Sequence, residues 1–312
     1  MGVSNPDRLS TGQTMQFIKS FDFSYGRNDR VSARVERVIA NNPGPFTFTG
    51  TGTYIVGAGG AVAVIDPGPA DEAHLSALLA AIGDRTVSHI LVTHTHSDHA
   101  PLSKALAAAC GGVPIYAAQP PMRDGLEAVR LDEHDDEDFQ PDVIISGGEV
   151  IEGDGWTIEV MATPGHASNH LAFVLREENG LFSGDHIMGW STTIVAPPDG
   201  DMSDYMASLE AVMARGFDVI WPTHGAPITD VEPFLKGYHA HRTGREAQVL
   251  ERLEAGDTTI AQMVPVLYAV VSQTLWPAAS LSVLSHLIKL ARDGRVTTDD
   301  EYSLSGHWHL IS

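Results

Sequence analysis

Leu91-Val-Thr-His94-Thr-His96-Ser-Asp98-His99 decides how the rest of this chain is read. Four metal-ligand side chains fall within six residues, directly after an apolar segment of strand character, a concentration that packing alone does not require. Side chains two apart on an extended segment point the same way, so His94 and His96 can share one ion, while the adjacent Asp98 and His99 point elsewhere and serve a second. Three later fragments, Thr163-Pro-Gly-His166, Ser183-Gly-Asp185 and Pro222-Thr-His224-Gly, each place one more ligand-type residue at the end of a strand-like run. In this reading His166 completes the first ion, His224 the second, and Asp185 bridges, since a carboxylate can hold two cations about 3.5–4 Å apart. The expected ligands are therefore His94, His96, Asp98, His99, His166, Asp185 and His224.

Working outward, segments with strand patterning run over Val35–Ala40, Thr53–Val56, Ala61–Asp66, His89–Thr93 and Val113–Ala117, with a helix over about 71–82 that presents Leu75, Leu78, Leu79 and Ile82, and another over 101–110 opened by Pro101. A second β-rich half follows, with strands near Val150, Trp156–Val160, Leu171–Leu175, Gly180–Ser183 and Asp218–Trp221 and a helix capped by Asp201 or Ser203. Two such halves with helices between them predict an α+β, four-layer αββα sandwich with every ligand at one rim. Residues 1–30 read as an irregular lead-in, 31–235 as the sandwich and 236–312 as an appendage of helices (to about 255, 258–271, 280–292) and a terminal hairpin, a winged-helix arrangement.

Composition narrows the partners. The chain has 19 basic and 40 acidic residues, a formal charge of −21, which disfavours nucleic acid and anionic membranes. Within the appendage after Arg245, Arg252, Lys289, Arg292 and Arg295 face Glu246, Glu251, Glu254, Asp257, Asp293, Asp299, Asp300 and Glu301, the wrong balance for tracking phosphates. The appendage is expected instead to act as a lid, a pocket wall or a contact between copies in a homo-oligomer. Cys110 is the sole cysteine, so there is neither an internal disulfide nor a cysteine ligand set. Neither a secretion signal nor a run of about 18 apolar residues is visible, and a cytoplasmic protein acting on a small molecule is the expectation. The acidic run Asp132-Glu-His-Asp-Asp-Glu-Asp138 reads as a solvated loop, and Cys110 as inert packing.

The motif His94-x-His96-x-Asp98-His99, followed by the later His166, Asp185 and His224, resembles that of the metallo-β-lactamase superfamily. Asn41-Asn-Pro-Gly-Pro45, Gly184-Asp-His-Ile-Met-Gly-Trp190 and Tyr238 with His241-Arg242 and Arg245-Glu246 are similar to a narrower branch, the lactamase-β-like proteins with a C-terminal winged helix, which includes a mitochondrial endoribonuclease. The resemblance implies two divalent cations and hydrolysis of esters, thioesters, amides or phosphodiesters by a hydroxide held between the ions. His96 stands where related di-iron oxygen reductases have glutamate, which favours zinc, with manganese or iron as the alternatives. Asp185 offers a bridge that the antibiotic-cleaving members generally lack, which points to a small ester or thioester, single-strand endoribonuclease activity being the alternative. The expected catalytic residues are Asp98, which orients the attacking oxygen or shuttles its proton, and Asp185. Next to the bridge, His186 either touches substrate or orients a ligand. Tyr238, His241 and Arg245 recur at helical spacing, so they either bind an anionic substrate group or make an interdomain polar contact. Asn42 and Thr51–Tyr54 are expected to border the entrance.

Overall fold

The computed structural model describes residues 16–121, 136 and 139–311. Its first sheet carries seven strands in sequence order: β1 (Asn28–Arg30), β2 (Val35–Ile39), β3 (Gly52–Val56), β4 (Ala61–Ile65), β5 (Thr86–Leu91), β6 (Ile115–Ala117) and β7 (Val143–Ile144). The second runs β12 (Val219–Pro222), β11 (Gly180–Gly184), β10 (Leu171–Leu175), β9 (Trp156–Ala162), β8 (Val150–Gly153). Pairing is antiparallel from β1 to β4 and parallel from β4 to β7, and β11 pairs in parallel with β12.

Strand alternation sorts the apolar side chains into three layers of core. On β3 and β4, Tyr54, Val56, Ala63 and Ile65 face inward to meet Leu171, Phe173, Leu175, Phe182 and Trp221 of the second sheet. The intervening Ile55, Val62 and Val64 face outward, under α1 (Glu72–Ile82) and α2 (Ser103–Ala109). On the far side, Ala172, Val174 and Ile220 meet Leu209 and Val212 of α3 (Met202–Arg215) and Leu235 and Tyr238 of α4 (Val231–Glu254). Strands with both faces buried read as near-continuous apolar runs, as β3, β4 and β10 do. This is the αββα sandwich of the sequence reading. A fourth core joins Val249, Leu250 and Leu253 of α4 to α5 (Ile260–Leu267), α6 (Trp276–Arg292) and the hairpin of β13 (Val296–Thr298) and β14 (Trp308–Leu310), around the buried Trp308.

Several details differ from the sequence reading. The lead-in contains β1, which adds to the sheet edge through Asn28↔Val38 and Arg30↔Glu36. On α1, capped by the Asp71 side chain accepting from the Ala73 amide at 2.8 Å, the buried face is His74, Leu78 and Ile82, and Leu79 is exposed. His74 is kept there by Thr53 Oγ1, 2.8 Å from its Nε2. α5 stops at Leu267, well short of Val271, while α6 starts at Trp276 because Pro277 suits a first helical turn, where no amide donor is needed. Cys110 is half-buried at the end of α2, and the acidic run lies, Asp136 apart, outside the described residues. No helix among the described residues is long and apolar enough to cross a membrane.

Candidate metal centre

The carboxyl ends of β4, β5, β9, β11 and β12 open onto one rim, and the seven expected ligands all sit there. Their donor atoms form three overlapping groups, His94/His96/His166, His94/His99/Asp185 and Asp98/His99/His224, each with its atoms within 4.8 Å of one another. His94 Nε2 is 2.9 Å from His96 Nδ1, and His166 Nε2 is 3.2 Å from that same atom. Across the site His224 Nε2 lies 3.1 Å from Asp98 Oδ2 and 3.4 Å from Asp185 Oδ1. His99 Nε2 lies 3.4 Å and 3.5 Å from those two oxygens. Asp185 has its other oxygen, Oδ2, 3.9 Å from His166 Nε2, so its carboxylate stands between the two groups.

The outer nitrogens of the imidazoles explain why the inner ones converge. His166 Nδ1 donates to the Ile194 carbonyl at 2.7 Å and His224 Nδ1 to the Gly50 carbonyl at 3.2 Å. His99 Nδ1 donates to Asp66 Oδ2 at 2.9 Å, and His94 Nδ1 meets Thr93 Oγ1 at 3.0 Å while that hydroxyl donates to Asp66. An imidazole that spends its N–H outward presents a lone pair inward. Lone pairs of His94 and His166 therefore both face His96, which can supply one proton at most, and a cation is what such an arrangement accommodates. On the other side the buried Asp98 Oδ1 and Asp185 Oδ1 have no hydrogen-bond partner. Three imidazoles in one group, two imidazoles with Asp98 in another and Asp185 between them are nitrogen and oxygen donors of the kind that hold a divalent cation.

Electrostatics differ between the groups. Burial, with His96 as neighbour, pushes His166 down to about 4, and burial with His99 and His96 holds His94 well below the ordinary histidine range. For His224 burial acts in the same direction, but Asp185 and Asp98 outweigh it and push the group up to about 10; His99 is raised by the same carboxylates and Asp66. Burial alone would raise both aspartates, yet His99 and His224 outweigh it and hold them low. His94 and His166 of the first group thus offer neutral nitrogens at pH 7, whereas in the second a cation must displace protons. Metal affinity at the second group should rise about tenfold per pH unit per proton displaced between pH 6 and 8, with proton release on loading, and at the first it should change far less. Calorimetric metal titrations at several pH values check this; equal, pH-independent affinities would sink it.

The supporting residues went unread in the sequence. Asp66 follows β4 with φ of 49° and accepts from the Thr93 amide (2.8 Å), Thr93 Oγ1 (2.9 Å), Thr223 Oγ1 (3.1 Å) and His99 Nδ1, tying the ligand loops after β5 and β12 together. His170 donates from Nδ1 to Thr163 and accepts at Nε2 from the Asp185 amide at 3.1 Å, which sets the bridge. Gly184 permits this approach: at φ of 51°, a Cβ would fall 2.6 Å from His170 Nε2. An aspartate closing an all-apolar strand at the ligand rim was the available signal for Asp66.

A cavity of about 310 Å³ opens from this centre, with His166 and Asp185 at one end. Phe46 and Trp190 flank it, the N-terminal segment contributes Phe17 and Lys19, and the appendage supplies Tyr268, Leu275 and Ala279. Lys19 Nζ donates to the Trp190 carbonyl at 2.8 Å, which fixes the segment over the opening. Of the expected substrate residues, His241 and Arg245 line this cavity and Tyr238 and His186 do not. The Tyr238 hydroxyl is buried, accepts from the amides of Met188 (3.3 Å) and Thr193 (2.9 Å) and donates to the Ser191 carbonyl (2.9 Å), so it shapes the loop behind the wall. His186 is sealed against the Tyr205 ring, 4.8 Å between centroids. Asn42 and Thr51 stand behind Asp98 rather than at the entrance, Asn42 Nδ2 donating to Thr51 Oγ1 (2.9 Å) and that hydroxyl to Asp98 Oδ2 (3.3 Å). Tyr54 is core, its hydroxyl on the Pro222 carbonyl.

Comparison with known proteins agrees with this geometry. The chain is 34% identical over 229 residues to an atrochrysone carboxyl ACP thioesterase of Cryptosporiopsis sp., covering 72% of this chain and 65% of that protein. It is 31% identical over 272 residues to the beta-lactamase-like protein 2 homolog of Caenorhabditis elegans, covering 86% and 88%. An atrochrysone carboxyl ACP thioesterase of Aspergillus chevalieri is 32% identical over 295 residues, covering 90% and 88%. In fold, a metallo-beta-lactamase family protein of Thermus thermophilus superposes with a TM-score of 0.72 at 23% identity, covering 90% of this chain and all of that one. Residues 47–224 match the profile of the metallo-beta-lactamase superfamily and residues 259–308 that of the beta-lactamase associated winged helix domain. With the ligand rim and both cores in place, the chain belongs to the metallo-beta-lactamase superfamily of hydrolases, in the form that carries this winged helix domain.

Proposed function

We propose that this protein is a binuclear metal-dependent hydrolase of small thioesters, with zinc as the ion its donors suit best. The observation that carries the reading is the place of Asp185, one oxygen 3.9 Å from His166 Nε2 and the other 3.4–3.5 Å from His224 and His99, at the end of a cavity lined by aromatic and apolar side chains together with a few polar ones. Relatives named as thioesterases support the choice of bond. When bound, two such ions supply Lewis acidity for a carbonyl oxygen and bring the ionisation of water near pH 7.

The chain's own residues do the rest. Asp98, whose Oδ2 accepts from the Thr51 hydroxyl, has an Oδ1 without a partner that would hold the attacking water and take its proton. His170 and Asp66 keep the ligands aimed. Phe46, Trp190 and Tyr268 surround the reacting carbonyl with low-polarity surface, which excludes competing water and strengthens charge interactions there. The thiol leaves with the proton that Asp98 returns.

Elemental analysis of the purified protein, with turnover of acyl N-acetylcysteamine thioesters, p-nitrophenyl esters and single-stranded RNA, tests the reading. Two equivalents of divalent metal and thioester cleavage lost on chelation are expected. RNA cleavage that falls steeply with salt, without thioester turnover, would replace it with the endoribonuclease reading, against which the charge of −21 argues.

A further inference from the structure

Arg242 and Arg245 stand one turn apart on α4, 3% and 7% exposed, and both line the cavity. Among the described residues neither meets a carboxylate. Arg242 Nη2 donates to the Thr193 carbonyl, its cation lies 4.7 Å from the Tyr205 ring centre, and its Nε has no partner. Arg245 Nη1 donates to Gln248 Oε1 and the Leu267 carbonyl, both at 2.9 Å, and its cation lies 4.3 Å from the Tyr268 ring centre. The acid next in sequence, Glu246, is taken by Lys289 (3.0 Å) and Arg295 (3.6 Å). His241, on the same wall, has a shielded Nδ1 without a partner; burial, with Arg242 and Arg245 beside it, pushes it down to about 3, so it stays neutral. Two buried positive charges therefore remain without a counter-charge in a protein of net charge −21. Burying an unpaired charge is unfavourable, and a ligand anion offsets that cost.

We propose that Arg242 and Arg245 form an anion subsite for a carboxylate carried by the substrate's acyl group, remote from the scissile carbonyl, so that the preferred substrates are monothioesters of dicarboxylic acids. A phosphate on the departing thiol is the other source of negative charge. Trp190, Tyr268, Val271 and Leu275 in the lining suit the hydrocarbon between two acyl termini; Ser191, Thr192 and Ser282 line the same cavity, and the phosphate arm of the test separates the two sources. The planar guanidinium fork matches a carboxylate in shape.

The proposal rests on the thioesterase reading, and its test separates the two. Metal-loaded full-length protein is assayed with glutaryl and pentanoyl N-acetylcysteamine thioesters, equal in carbon count and differing in the terminal carboxylate. A kcat/KM ratio of at least about tenfold favouring glutaryl is expected, collapsing toward one in R242Q and R245Q and partly restored in R245K. A wild-type ratio near one overturns the subsite and leaves thioester hydrolysis standing, whether or not the variants fold. Calorimetric binding of glutarate and of inorganic phosphate to wild type and R245Q works without turnover. Glutarate binding that is lost in R245Q supports the subsite even if neither thioester is cleaved, whereas an Arg245-dependent signal from phosphate alone overturns the carboxylate assignment.

Discussion

Asp185→Ala should lower thioester turnover by on the order of 10³-fold or more and leave the purified protein with fewer than two metal equivalents. The residue's position makes the effect larger than for an ordinary ligand. One oxygen lies 3.9 Å from His166 Nε2 and the other within 3.4–3.5 Å of His224 and His99, so a single truncation removes a donor from both groups. It also takes away a carboxylate that raises His224 and His99, so residual metal affinity at the second group should lose part of its pH dependence. His96→Ala is the contrasting case: it strips one nitrogen from the first group and should leave the second titrating as in the wild type. Elemental analysis beside steady-state kinetics distinguishes the two patterns. Retention of two metals and of activity in Asp185→Ala would remove the bridging role altogether.

Asp66→Asn should lower metal affinity on the order of 10–100-fold without touching a ligand. Oδ1 accepts the Thr93 amide and Oδ2 accepts Thr93 Oγ1, Thr223 Oγ1 and His99 Nδ1. An amide in its place has one oxygen for two such positions, so at least one buried donor loses its acceptor, at a cost of about 1–3 kcal/mol. His99 would no longer be held to the tautomer that presents Nε2 inward. The measurement is competitive chelation of the loaded protein alongside a thermal melt. A variant that melts lower yet keeps wild-type metal affinity would assign Asp66 to stability alone.

The convergence of the candidate ligands was legible because their chemistry is local: His94, His96, Asp98 and His99 crowd one loop, and His166, Asp185 and His224 each end an apolar run. The layers were legible in the order of elements, two β-rich halves with helices between them, but β3, β4 and β10 are apolar on both faces, so which core Tyr54, Val56 or Ile55 enters was not. What escaped was relational. Asp66 and His170 act through partners 27 and 15 residues away along the chain. Nothing in their own neighbourhood marks a carboxylate that binds two ligand loops or an imidazole that receives a backbone amide. Helical spacing grouped Tyr238, His241 and Arg245 on one side of α4, but spacing does not say how deep a side chain sits. Tyr238 lies against the sandwich with its hydroxyl on the 188–193 loop, while the neighbouring Arg242 and Arg245 reach the cavity.

One helix belongs to both modules. Leu235 and Tyr238 pack into the sandwich and Val249, Leu250 and Leu253 into the winged-helix core, with no break between them, and Arg292 of α6 pairs with Asp201 at the start of α3. The shared 24-residue shaft sets a rotational phase between the ion-binding rim and the wall opposite it. Adding one residue between Tyr238 and Val249 would swing the distal module by about 100° and lift it about 1.5 Å, carrying Tyr268 and Leu275 off the opening. Length variation among proteins built this way should therefore collect in the loops and spare the shaft, and grafting a foreign winged helix onto this sandwich should succeed only at splice points that preserve helical phase.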